Sequence, residues 1–347
     1  MTTVQAATSV AASTTPPKGA KGILGPIFGS RFFNPAAVGI VLLIALFAVP
    51  TLGSYWVANF TNMALFAALA ASAGMLYGRV GLVSLGQVAP YGIGLWVTIR
   101  LSFATSLPFP LLVVIGGLTA MVIGVLIGLP ALRVSGLYLA LVTLMLAAAI
   151  EILISELKFA NGGPGFRGVV KGLSGIQPVR RPSFAQSDLQ YYRFVVIGSF
   201  LLFMLAAFVV SRKPGRAWAS IRQSEAAALS AGIDVTRYKI LAFALASFMA
   251  GCAGGLFAGV IPKGVTTDSL TRQSAVLLIA VVIMGGIYSL WGGLLAGFFS
   301  TIMLKFLTQN VAGHQKWQAF SLSLFGFGLI VNLIVGTRKA EKKGVAP

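Results

Sequence analysis

Charge is scarce in this 347-residue chain, and negative charge is scarcest: seven Asp and Glu stand against 26 Lys and Arg, and charged residues make up 10% of the sequence. An ordinary soluble domain carries about 25%, so the chain has too little polar surface to clothe a water-soluble body. Its single cysteine, Cys252, lies within an apolar stretch. That excludes an internal disulfide and a cysteine-based metal cluster, and marks Cys252 as a small packing residue. The single histidine, His314, falls in a predicted external turn with no acids or thiols beside it, which argues against a metal site. No Gly-x-x-x-x-Gly-Lys-Ser/Thr phosphate loop occurs, so nothing in the sequence is equipped to bind ATP. Nor does a nucleophile stand beside a base, or a pair of carboxylates in a plausible cleft, so no catalytic residue and no cofactor is expected.

Apolar residues are abundant: 57% of the chain is hydrophobic and the mean hydropathy is +0.91. A bilayer core about 30 Å thick needs roughly 20 mostly apolar residues per helical crossing, and from Ala36 onward that pattern recurs. The long apolar runs lack the period-two alternation of a membrane barrel, so the spans are helical. The fold class is therefore an all-α polytopic membrane protein with about ten transmembrane helices, within a range of eight to ten. Spans are predicted at 36 to 53, 57 to 77, 87 to 103, 109 to 131, 136 to 157, 193 to 211, 238 to 261, 275 to 290, 291 to 310 and 318 to 336. Glycine-rich breaks at Gly81 to Gly86 and Gly285 to Gly293 are turns, re-entrant segments or interrupted helices.

This division gives residues 1–35 as a disordered cytoplasmic tail, too late and wrongly laid out for a cleaved signal, and 36–336 as the transmembrane domain. Within the latter, 158–192 is an external loop and 212–237 a cytoplasmic one, and 337–347 forms a basic cytoplasmic tail. The formal charge of +19 lies in the connections, where phospholipid head groups are a simpler partner than nucleic acid. Arg79, Arg133 and the basic cluster Arg212 to Lys239 mark the cytoplasmic side, with both termini on it. Lys158, Arg167, Lys171, Arg180 and Arg181 in the long external loop run against that bias, which long loops obey less strictly. Leu82-Val83-Ser84-Leu85-Gly86 and Ile287-Tyr288-Ser289-Leu290-Trp291-Gly292 hint at a five-helix internal repeat, although small-residue helices also resemble one another by composition alone.

The stretch from Arg212 to Asp234 is too polar to cross lipid. Pro214 and Gly215 start it, Gly232 can stop it, and Ala217, Ile221, Ala228 and Leu229 recur at roughly helical spacing, so it reads as a short interfacial helix. Spacing alone fits either an amphipathic helix on lipid head groups or a surface gripped by a partner.

The same stretch resembles the coupling loop of ABC importer permeases, in which Glu-Ala-Ala followed after three residues by Gly docks into an ATPase subunit. Here Ala227-Ala228-Leu229-Ser230-Ala231-Gly232 fits, with Glu225 one place early, as in the branched-chain amino-acid branch. Gly81-Leu82-Val83-Ser84-Leu85-Gly86-Gln87, Arg133-Val134-Ser135-Gly136-Leu137-Tyr138 and Asn161-Gly162-Gly163-Pro164-Gly165-Phe166 are similar to further blocks of those LivM-like permeases, as is Gly285-Gly286 through Gly297. Asn161 stands where the family usually has Thr. The resemblance runs in order over about residues 37 to 335.

It implies a permease subunit in the bacterial inner membrane that works with a second related permease, two cytoplasmic ATPase subunits that hold the ATP, and an external solute-binding protein. The implied solutes are leucine, isoleucine and valine, with urea, other amino acids or aromatic acids as relatives' alternatives. The implied ATPase-coupling residues are Arg216, Ala217, Glu225, Ala227, Ala228 and Gly232. Ser84, Gln87 and Thr143 are placed to meet a zwitterion in transit, and each is equally suited to a helix–helix hydrogen bond. Glu151 sits inside a span, where an ionisable group is costly and is usually functional or paired. It either lines the path or reaches the outer interface to pair with Lys158 or Arg193. An ion-coupled secondary carrier is the alternative class, which expects acids deep in broken helices.

Overall fold

The computed structural model describes residues 53–82, 84–131, 137–156, 181–260 and 290–298, together with 45–47, 49, 278, 282 and 301. Regular structure among the described residues is wholly helical. Helix α1 (Ser54–Met75) runs into a π turn (Leu76–Val80). It is followed by α2 (Val88–Ala104), α3 (Phe109–Ala131), α4 (Leu137–Glu156), α5 (Asp188–Ser211), the short α6 (Lys213–Gln223) and α7 (Glu225–Ser230), then α8 (Val235–Phe257) and α9 (Leu290–Phe298). The segments Ser54–Val80, Phe109–Leu126, Asp188–Ser211 and Val235–Phe257 are long and apolar enough to cross a bilayer, and Val88–Ala104 and Tyr138–Ile150 are shorter apolar helices. The spans predicted around 36–53, 275–290 and 318–336 fall outside the described residues but for isolated positions.

Two boundaries differ from expectation for local reasons. Helix α5 begins at Asp188, inside the stretch 158–192 read as external loop, because Ser187 and Gln190 form a capping box. The Ser187 hydroxyl accepts from the Gln190 amide at 3.3 Å while the Gln190 side chain accepts from the Ser187 amide at 3.4 Å. The polar first turn is carried by burial of Tyr191 and Tyr192 rather than by apolar periodicity. Helix α8 begins at Val235, where the Asp234 carboxylate accepts from the Arg237 amide at 3.1 Å.

Among the described residues, α8 is the central helix, packed against α3, α2 and α1. Lipid is as apolar as leucine, so helices in a bilayer associate where small residues let their backbones approach. That is the pattern here: a Cβ on Gly94 of α2 would lie 2.1 Å from the carbonyl oxygen of Gly251 on α8, and one on Gly254 would lie 2.0 Å from that of Tyr91. A Cβ on Gly251 would also meet that of Ala120 on α3 at 2.4 Å. The outer face of α3 instead exposes Leu111, Leu118, Val122 and Leu126, and α4 exposes Tyr138, Met145 and Ile152, as lipid-facing surfaces require.

Replacing Gly251 by leucine is therefore expected to lower the stability of the detergent-solubilised protein by at least about 1–3 kcal/mol. Leu118→Ala on the exposed face of α3 is expected to change it by less than about 0.5 kcal/mol. Thermal unfolding of both variants checks the difference.

Candidate translocation site and coupling loop

Helix α1 does not run straight out of its apolar body. It widens into the π turn at Leu76–Val80 and ends at Gly81, whose φ of +86° is open to glycine and strained for other residues. The Gly81 amide donates to the carbonyls of Leu76 and Tyr77 at 3.1 and 3.2 Å, and the Leu82 amide donates to Leu76 at 3.2 Å. A non-helical step then leads to α2, with Gln87 as its N-cap.

This step is buried, not a surface turn: Ser84 is 4% and Gln87 2% exposed. Its backbone polar groups need partners, and Thr143 of α4 supplies one by accepting from the Leu85 amide at 3.1 Å. The Thr143 hydroxyl donates in turn to the Ala140 carbonyl at 3.0 Å, so it acts as both donor and acceptor. The α4 backbone passes so close that a Cβ on Gly86 would lie 2.9 Å from the Thr143 carbonyl oxygen. Ser84 Oγ accepts a long 3.4 Å bond from the Gly86 amide. Gln87 Oε1 is buried with no hydrogen-bond partner among the described residues. A buried acceptor left unpaired costs about 1–3 kcal/mol.

Ser84, Gln87 and Thr143 are thus brought to one place, where Thr143 serves as a helix–step hydrogen bond and Gln87 keeps an unused acceptor. Glu151 lies eight residues further along α4, about 12 Å at the helical rise, and its side chain lies outside the described residues.

The polar stretch after α5 is two helices rather than the single one expected. Arg212 is extended and Pro214 sits in the first turn of α6, where its missing N–H costs nothing. Ser224, extended at φ −162°, breaks the chain, and its hydroxyl accepts from the Ala227 amide at 3.2 Å to start α7. Helix α7 ends in a Schellman pattern: Gly232, at φ +76°, donates to Leu229 at 2.9 Å and Ile233 donates to Ala228 at 3.0 Å.

The pair of helices is braced from within. Trp218 is wholly buried, and its indole N–H donates to the Tyr238 carbonyl on α8 at 2.8 Å. Ala217, Ile221 and Ala228 are buried beside it. Glu225 pairs with Lys239 of α8 at 2.6 Å. Arg216, Ala227 and Gly232 are exposed, as is Leu229 at 61%, on the opposite side from its expected packing partners. A Cβ on Gly232 would meet no atom of the described residues within 4 Å. The six residues expected to couple therefore divide: Ala217 and Ala228 pack the loop against its own chain, Arg216, Ala227 and Gly232 are exposed, and Glu225 is exposed while pairing with Lys239. Trp218 and Lys239 were not singled out in the sequence. A lone tryptophan in a polar stretch, three residues before Ile221, is the signal that points to the first of them.

Comparison with known proteins agrees with this architecture. The family described as "Branched-chain amino acid transport system / permease component" matches residues 55–333. The chain is 28% identical to the high-affinity branched-chain amino acid transport system permease protein LivM of Escherichia coli (strain K12), covering 92% of this chain and 78% of that protein. It is 29% identical to the LivM protein of Salmonella typhimurium (strain LT2), covering 91% and 77% respectively. No solved structure matches it significantly. With helices built for a bilayer and a family match that takes in α2 to α9 and all but the first residue of α1, the chain belongs to the branched-chain amino acid transport permease family and is a membrane-embedded component of a transport system.

Proposed function

We propose that the chain is the permease subunit of an ATP-binding-cassette importer, and that it moves leucine, isoleucine, valine or a closely related zwitterion across a bacterial inner membrane. A second related permease completes the pathway, two cytoplasmic ATPase subunits hydrolyse the ATP, and an external solute-binding protein delivers the solute. The observation that carries this reading is the α6–α7 loop. It is a rigid, polar element held to α8 by Trp218 and by the Glu225–Lys239 pair, and it presents Ala227, Leu229 and Gly232 to the outside. A loop kept only for lipid contact has no use for an ordered small-residue face that ends in a left-handed glycine.

Within the pathway, Gln87 is the residue we assign to the solute: its buried Oε1 accepts a hydrogen bond that an ammonium group can supply. Ser84 belongs to the same step, and Thr143 holds that step in place.

Gly232→Trp separates docking from folding, because the first side-chain carbon there meets no described atom within 4 Å and the backbone strain is about 1–2 kcal/mol. In proteoliposomes carrying the assembled subunits with ATP inside, this variant is expected to insert normally and lose uptake of labelled leucine. Normal uptake would refute the docking role, and uptake driven by an ion gradient without ATP would favour a secondary carrier. Ala228→Arg is a poorer probe, since Ala228 is 1% exposed and a charge there disrupts the loop itself.

Gln87→Leu is expected to raise the solute concentration for half-maximal uptake about tenfold, the value of one hydrogen bond to a charged group. Unchanged half-saturation would remove Gln87 from the path.

A further inference from the structure

The end of α1 has a second attachment, from the coupling loop. The last carbonyls of a helix have no partner within it. Those of Leu76 and Tyr77 are met by the amides of Gly81 and Leu82. That of Gly78 is met by the guanidinium of Arg222, whose Nη1 donates to it across 144 positions of sequence. Arg222 sits in the last turn of α6, four residues after the buried Trp218. Its stem runs alongside Gly81, where a Cβ would come within 3.3 Å of Arg222 Cγ. Positive charge suits this position, because helix dipoles leave partial negative charge at their C-termini, although Arg79 in the same turn is a like charge that offsets part of that gain.

Two anchored ends lie on either side of this bond. On one side, Arg222 and the buried Trp218 lie on the same helix α6, so displacement of that helix carries Arg222 with it. On the other, the residues just after Gly81 are the buried step that holds Ser84, Gln87 and the Leu85–Thr143 bond. A π turn is a wider, less regular coil that marks functional sites in helices, and it here ends in a single left-handed glycine that can act as a pivot.

We propose that Arg222 is a positioning residue for transport: by capping Gly78 it carries displacement of the α6–α7 loop into the step at residues 81–87 and so sets the state of the pathway at Gln87. This rests on the reading that the loop docks an ATPase. Arg222 touches neither solute nor nucleotide. Its contribution is the stiffness of the link between them, which a purely electrostatic or packing role would not provide.

Two substitutions in the full transporter test it. Arg222→Met keeps the apolar stem beside Gly81 and removes the donor and the charge, and Arg222→Lys keeps a charged donor at similar reach. The readout is solute moved per ATP hydrolysed in proteoliposomes, with recovery of the ATPase subunit measured in parallel. Arg222→Met is expected to retain the ATPase and to hydrolyse ATP while its ratio falls about five- to tenfold, the scale of a typical coupling free energy. Arg222→Lys is expected to restore most of the ratio. A parental ratio in Arg222→Met overturns the proposal. So does loss of the ATPase from that variant, which would make Arg222 a structural brace. If the unmodified chain itself recovers no ATPase, the importer reading fails first and the proposal falls with it.

Discussion

Every backbone carbonyl and amide inside the bilayer's hydrocarbon core must find a partner in the protein, because lipid offers none. Most of this chain meets that demand by staying helical. At the end of α1 the helix opens into a π turn and stops at Gly81. Its own Gly81 amide and two groups from elsewhere in the chain, the hydroxyl of Thr143 on α4 and the guanidinium of Arg222 on α6, meet backbone groups left open there and in the step that follows. This break is where Ser84, Gln87 and Thr143 collect. A helix that crossed without interruption would need none of them.

The rest of the fold keeps that break from spreading. Close approach of α2, α3 and α8 at Gly94, Gly251 and Ala120 leaves no room for these helices to slide. Tyr191 reaches from α5 to the Leu256 carbonyl near the end of α8 away from the coupling loop, and Arg181 holds the Gly259 carbonyl at 2.9 Å just beyond it. Helix α8 is thus clamped at one end by the loop before α5 and at the other by Trp218 and the Glu225–Lys239 pair.

Much of this was legible in the residues. Hydropathy located α1 to α5 and α8 because it reports the medium a segment must occupy, and lipid imposes that strongly. Glycines at 81 and 86 announced the broken step, and Pro214, Gly215 and Gly232 bracketed the coupling loop, because each meets a local backbone demand. Pairings of long side chains across the fold were not legible. The pairing of Glu225 with Lys239, fourteen residues on, was not foreseen, since an acid on a short helix can turn in several directions. The break at Ser224 went unseen because serine is tolerated within helices and shows its capping role only when its hydroxyl meets the Ala227 amide. Thr143 and Gln87 were indistinguishable as candidates until hydrogen bonding separated the committed hydroxyl from the unpaired amide oxygen.

The central claim is that the α6–α7 loop is the surface on which an ATPase subunit sits. The most direct measurement is co-purification in mild detergent of the unmodified chain and of a variant altered at Ala227, Leu229 and Gly232, the outward face of the loop. Recovery of a phosphate-loop ATPase with the unmodified chain and its loss from the variant is the result the account requires. Equal recovery with both, or no ATPase with a folded unmodified chain, would contradict it.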